Sequence, residues 1–79
     1  MSNEVFETID RMARQGWFCA LGNGLDTTWE CEFYRRATRE TPPEHLGRDS
    51  TLGLTEVHYS TGATIAEAVT ANAAIIIQP

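Results

Sequence analysis

Apolar residues recur with helical spacing at the start of the chain. Val5, Ile9 and Met12 fall at i, i+4 and i+7, and Phe6 and Ala13 widen the same stripe. The pattern predicts a helix from about Asn3 to Gln15. Ser2 or Asn3 supplies its cap, Glu4, Glu7 and Asp10 put negative charge toward its positive end, and Arg11 and Arg14 sit toward its C-terminal end. Gly16 then supplies the left-handed stop. From Trp17 to Leu21 the helical spacing is lost, and Gly22-Asn23-Gly24 marks a turn. Trp29 to Arg36 alternates: Trp29, Cys31 and Phe33 point one way, and Glu30, Glu32, Tyr34 and Arg36 the other, as in a half-buried strand. A hairpin with a loop near 22–28 sets Trp17, Cys19 and Leu21 against Phe33, Cys31 and Trp29, apolar face to apolar face. A tight Asn23-Gly24 turn would put Phe18 opposite Trp29 instead, so the wider loop is preferred.

Thr38 to Ser50 is polar, carries Pro42-Pro43 and Gly47, and reads as a long surface loop. A third strand is expected from about Leu52 to Ser60, with Thr55, Val57 and Tyr59 alternating against Glu56 and His58, and Thr61-Gly62-Ala63 breaking it. Thr64-Ile65-Ala66-Glu67 has the form of a capping box. Behind it Ile65, Ala68, Val69, Asn72, Ala73 and Ile76 line one helical stripe, ended by Gln78-Pro79. The expected fold is α+β, in the order α-β-β-β-α. It is one domain over residues 1–79, a three-stranded antiparallel sheet with both helices packed on one face.

At 79 residues the chain buries only about 60–65% of its unfolded surface, so its stability will be marginal. No apolar run approaches the roughly 20 residues needed to cross a bilayer, and Met1-Ser2-Asn3-Glu4 lacks the features of a secretory signal. A cytoplasmic location is the expectation. Eleven acids face six bases, all arginines, for a net charge of −5. That balance disfavours docking on phosphate backbones or anionic lipid and suits a basic partner. Solubility alone is the competing explanation of the charge.

Candidate chemistry is sparse. Cys19 and Cys31 form no CxxC, and no metal-ligand spacing accompanies them. They are read as reduced thiols packed under Trp17 and Trp29, with a redox pair as the alternative. His45 falls in the proline-rich loop and His58 on the polar side of the third strand. Neither has an evident orienting partner or nucleophile, so both are assigned to the surface and no catalytic residue is expected. Gly22-Asn23-Gly24 joins two strands, with no following helix N-terminus and no lysine, so it is a turn and no phosphate cradle. No cofactor is implied.

The stretch from Gly62-Ala63-Thr64-Ile65-Ala66-Glu67-Ala68 to Ala73-Ala74 resembles the end of a double-stranded RNA-binding domain, whose topology is also α-β-β-β-α. It also resembles the Gly-x-Thr-x-x-Glu-Ala lead-in to the helix of HicB-type antitoxins. The RNA-binding resemblance implies a lysine cluster at the start of that helix. Here the positions hold Thr64, Ile65, Ala66 and Glu67, so the fold is carried over and RNA binding is not.

The acids remain. Glu30 and Glu32 leave the same sheet face about 7 Å apart. Glu56 is expected to join them there, with Tyr34 and His58 beside them. Asp26 lies in the hairpin loop, and Glu40, Glu44 and Asp49 in the long one. Spaced carboxylates on a rigid sheet imitate a nucleic-acid backbone, although Arg35, Arg36 and Arg39 interrupt the field and a solvated face is the plainer reading. In size, charge and architecture the chain resembles small phage- and prophage-encoded inhibitors, in particular anti-CRISPR proteins directed at type I complexes, type I-C among them. With no catalytic constellation and no basic patch, neither enzyme activity nor direct nucleic-acid contact is expected, and the chain is expected to be a monomer or small homo-oligomer. The resemblance implies stoichiometric binding to a Cascade-like complex, with loss of target-DNA binding. The alternative is an antitoxin-like or regulatory subunit that neutralises a basic nuclease.

Overall fold

The computed structural model describes residues 4–24 and 26–77. The caps expected at Ser2 or Asn3 and the stop at Gln78-Pro79 lie outside these. Helix α1 (Glu4–Arg14) leads into strands β1 (Phe18–Asn23) and β2 (Trp29–Arg36). A 3-10 turn at Pro43–His45 precedes β3 (Leu46–Asp49), and β4 (Gly53–Gly62) and α2 (Ile65–Ile77) complete the chain. The four strands form one sheet in the order β1-β2-β4-β3, every neighbouring pair antiparallel.

The fold is α+β as expected, with one more strand. β3 falls within the stretch taken as loop, because four residues beside Pro42-Pro43 are too short to show alternation. Its Gly47 is a packing requirement: a Cβ there would meet Val57 Cγ2 at 2.7 Å.

α1 ends as its sequence indicates. Gly16 has φ +92°, Trp17 N–H donates to the Met12 carbonyl (3.1 Å) and Gly16 N–H to that of Ala13 (3.0 Å). This is a Schellman motif, and its accompanying apolar contact unites Met12 and Trp17, both buried. Phe6, expected in the core stripe, is 74% exposed, and Ala13 is exposed as well. The helix buries a narrower stripe, with Met12 in the core and Val5 and Ile9 at its margin.

α2 starts as a capping box. Thr64 Oγ1 accepts from Glu67 N–H at 3.1 Å, and Glu67 Oε2 accepts from Ala63 N–H at 3.0 Å, one residue ahead of the cap. Ala68, Val69, Asn72 and Ala73 are buried against β2 and β4. Small residues bring helix and sheet close: a Cβ on Gly62 would meet Ala68 N at 2.6 Å. Ser60 Oγ donates to the Ala68 carbonyl at 2.6 Å. Asn72 Nδ2 donates to the carbonyls of Cys31 (2.9 Å) and His58 (2.8 Å), tying the helix to the two central strands. The buried core joins Met12, Trp17, Cys31, Phe33, Ala68, Val69 and Ala73, so both helices cover the Cys31–Phe33 side of the sheet.

The tight Asn23-Gly24 turn is absent from the hairpin, but the loop is shorter than the one expected near 22–28. Gly22 and Asn23, read as part of the turn, belong to β1, Asn23 stands opposite Trp29, and the register differs by two residues from the expected one. Cys19 stands opposite Phe33, and Leu21 opposite Cys31. The slip of two keeps the same side chains on each face, so hydrophobic matching alone does not distinguish the alternatives. The thiols are therefore diagonal neighbours and both are free. Burial and the adjacent Cys19 push the Cys31 thiol up to about 12, and burial also raises Cys19. Groups so seldom ionised are poor nucleophiles at neutral pH, in keeping with a packing role.

Candidate functional site

The sheet has a helix-covered side and an open side. Partners across the ladder share a side, so the open side carries four successive rows. They are Arg36–Thr55–Gly47, Phe18–Tyr34–Val57, Ala20–Glu32–Tyr59 and Gly22–Glu30–Thr61. Phe18 and Tyr34 are stacked, with centroids 5.5 Å apart. Tyr59 O–H donates to Glu30 Oε1 at 2.7 Å, and this bond, with the nearby acids, raises the phenol above its ordinary value. Ala20 and Gly22 stand on the β1 side of the glutamates and leave them open in that direction. Shallow depressions run across this face between Ala20, Glu32, Tyr34, Val57 and Tyr59, and Arg48 borders two of them beside Glu32.

The structure thus gathers Glu30, Glu32 and Tyr34 as their alternation predicts. Glu44, in the 3-10 turn, borders the same face beside Glu32 and Tyr59, and Asp49 lies at its far margin. Asp49 is committed to a turn: its Oδ1 accepts from the N–H groups of Thr51 and Leu52, both at 2.8 Å. Asp26 plays the same part in the hairpin loop, where hydrogen bonds from Thr28 hold its carboxyl below the usual range. Glu40 is exposed in the turn before the prolines. Val57 and Tyr59 belong to this face too. Sequence reasoning set Val57 and Tyr59 on the buried side, and the correct parity of β4 would have placed them here.

Glu56 is a correction. It points to the helix-covered side, opposite Arg35 and away from Glu30 and Glu32. There it accepts from Thr41 Oγ1 (3.3 Å), pairs with Arg35 (3.5 Å) and contacts His58 Nε2 at 2.8 Å. Burial pushes its carboxyl up, but the His58 hydrogen bond and the Arg35 charge outweigh burial and hold it below its ordinary value. Arg35 also lies over Trp17, 4.1 Å from the ring centroid, while His58 meets Trp17 edge-on and stacks on His45 at 4.4 Å.

The histidines are a second correction. They are not isolated on the surface, for His58 has only 12% of its side chain exposed and a carboxylate beside it. His58 Nδ1 is buried without a hydrogen-bond partner among the described residues, so no nucleophile is aligned with it there. The group ties the segment from Thr41 to His45 onto the end of the sheet that the helices leave uncovered.

Among the described residues no three histidine, cysteine or acidic side chains are grouped to hold a metal ion, and no helix is long and apolar enough to cross a membrane. Compared with known protein families, curated proteins and solved structures, the chain matches none.

Proposed function

We propose that this chain is a stoichiometric inhibitor whose open sheet face docks on a basic, nucleic-acid-handling surface of a host complex. In line with the resemblance drawn from its size, charge and architecture, the proposed activity is anti-CRISPR, with a Cascade-like complex as partner and target-DNA binding as the step blocked. The observation that carries the contact surface is Glu30 and Glu32 standing on a helix-free face with small and aromatic neighbours toward β1 and Tyr59, and with Arg36 and Arg48 only toward its β3 end. Rigid strands fix the spacing of the two carboxylates. Tyr59 and the stacked Phe18–Tyr34 pair offer apolar area beside them, the mixture of anchor and charge that concentrates binding energy in interfaces. Attraction between the acidic chain and a basic channel makes association fast and sensitive to salt. Glu56 is not part of this contact, because Arg35, His58 and Thr41 occupy it on the other side.

The test is the double variant Glu30→Arg, Glu32→Arg, with the double variant Glu7→Arg, Asp10→Arg on α1 as a control of equal charge change. The face variant should lose at least about tenfold in affinity, or ~1.4 kcal/mol, and its inhibition with it. Unchanged affinity in the folded double variant removes the sheet face from the proposal. Binding to a basic nuclease and to no CRISPR complex removes the anti-CRISPR assignment and leaves the face.

A further inference from the structure

The two edges of the sheet differ in kind. β3 is four residues long, carries Arg48 and Asp49, and follows Pro42-Pro43, features that discourage pairing with another strand. β1 is six residues long, with the sequence Phe-Cys-Ala-Leu-Gly-Asn. It has no acid, no base and no histidine, the only strand of the four of which this holds.

The direction of its free hydrogen-bonding groups follows from the ladder. Gly24 N–H donates to the Thr28 carbonyl at 2.7 Å, continuing the Gly22–Glu30 pairing by one step. Bonded pairs alternate with non-bonded ones, so Phe18, Ala20 and Gly22 bond to β2. Cys19, Leu21 and Asn23 then direct their N–H and C=O groups away from the sheet. Among the described residues no backbone group pairs with them there. Leu21 is 43% exposed and Phe18 50%, so the edge is apolar as well as unpaired.

We infer that β1 pairs antiparallel with β1 of a second copy of this chain, making a continuous eight-stranded sheet about a two-fold axis at Leu21. In this register each strand contributes all three outward residues, Leu21 facing its counterpart and Cys19 facing Asn23 of the other copy. The arrangement is isologous, the same patch meeting itself. Charge selects the occupant. For a chain of net charge −5 a neutral strip is where its own copy meets the least repulsion, whereas a basic partner gains nothing electrostatically at β1 and is drawn to the glutamates of the open face. On that face Ala20 would stand opposite Gly22 of the second copy, so no bulky or charged side chains collide across the seam.

The experiment is sedimentation of the purified chain over a range of concentrations, combined with amide hydrogen exchange and repeated on Leu21→Lys. The expected native mass is twice 8.8 kDa. The Cys19, Leu21 and Asn23 amides should be protected in the native protein. In Leu21→Lys the mass should halve and those three amides should exchange freely, while Phe18, Ala20 and Gly22 stay protected and report an intact fold. A native protein that is monomeric throughout, or a dimer unaffected by Leu21→Lys with those three amides unprotected, overturns the inference. Because no partner is present, failure here leaves the inhibitor proposal standing, and loss of inhibition in the open-face variant leaves the dimer standing.

Discussion

Glu56 and His58, two residues apart on β4, point to the same side of the sheet and meet at 2.8 Å beneath the segment that carries Thr41 and His45. The carboxyl titrates below its ordinary value, so its folded pKa lies under its unfolded one. Its contribution to stability is therefore complete above the unfolded pKa and is lost as pH falls through the folded one. Glu56→Gln should cost about 1–2 kcal/mol at neutral pH and flatten the loss of stability below about pH 4.5. Urea unfolding followed by tryptophan fluorescence from acid to neutral pH measures both. An acid limb as steep in the variant as in the native protein contradicts this assignment.

Asn72 supports the central strands through one nitrogen, while its Oδ1 is buried without a partner. Asn72→Ala removes both bonds and opens a cavity, and should destabilise by about 2–3 kcal/mol. Asn72→Leu keeps the volume and removes the unpaired oxygen, so it should cost less than the alanine variant. Equal denaturation midpoints for the two would show that the lost amide bonds, and not the cavity, set the cost.

Thr64→Ala should lose about 1 kcal/mol, lowering Tm by about 4–8 °C in a domain of this size. Glu67→Ala addresses the reciprocal bond to Ala63 N–H. Because the two side chains act on one helix end, a double-mutant cycle should give less than the sum of the single losses.

The close approaches at Gly47 and Gly62 have different remedies. A methyl on Gly47 meets the Val57 side chain, and one on Gly62 meets the backbone nitrogen of Ala68. Each alanine variant should cost about 1–3 kcal/mol. Adding Val57→Ala should recover most of the loss for Gly47→Ala and none for Gly62→Ala, as thermal unfolding of the four variants will report.

Periodicity alone located both helices, the span of β2 and the shared face of Glu30 and Glu32. It failed where two choices have the same pattern. In β4, Glu56 and His58 look like a solvent side and Val57 and Tyr59 like a buried one, yet the polar pair is covered by the segment around Thr41 and the apolar pair faces outward. Nothing local in the strand reveals what a distant segment will cover. The hairpin register, and with it the diagonal placement of Cys19 and Cys31, was hidden for a related reason, since a two-residue slip preserves every face. β3 was hidden because its determinant, the fit of Gly47 beside Val57, is a tertiary contact.

The 3-10 turn at Pro43–His45 has a mechanical consequence. Glu44 and His45 are consecutive, and both border the open face, yet the His45 ring also rests on His58 on the helix-covered side. One peptide unit thus joins a side chain on the open face to one that rests on the Glu56–His58 pair, so the turn clasps the two sides of the sheet together at its margin.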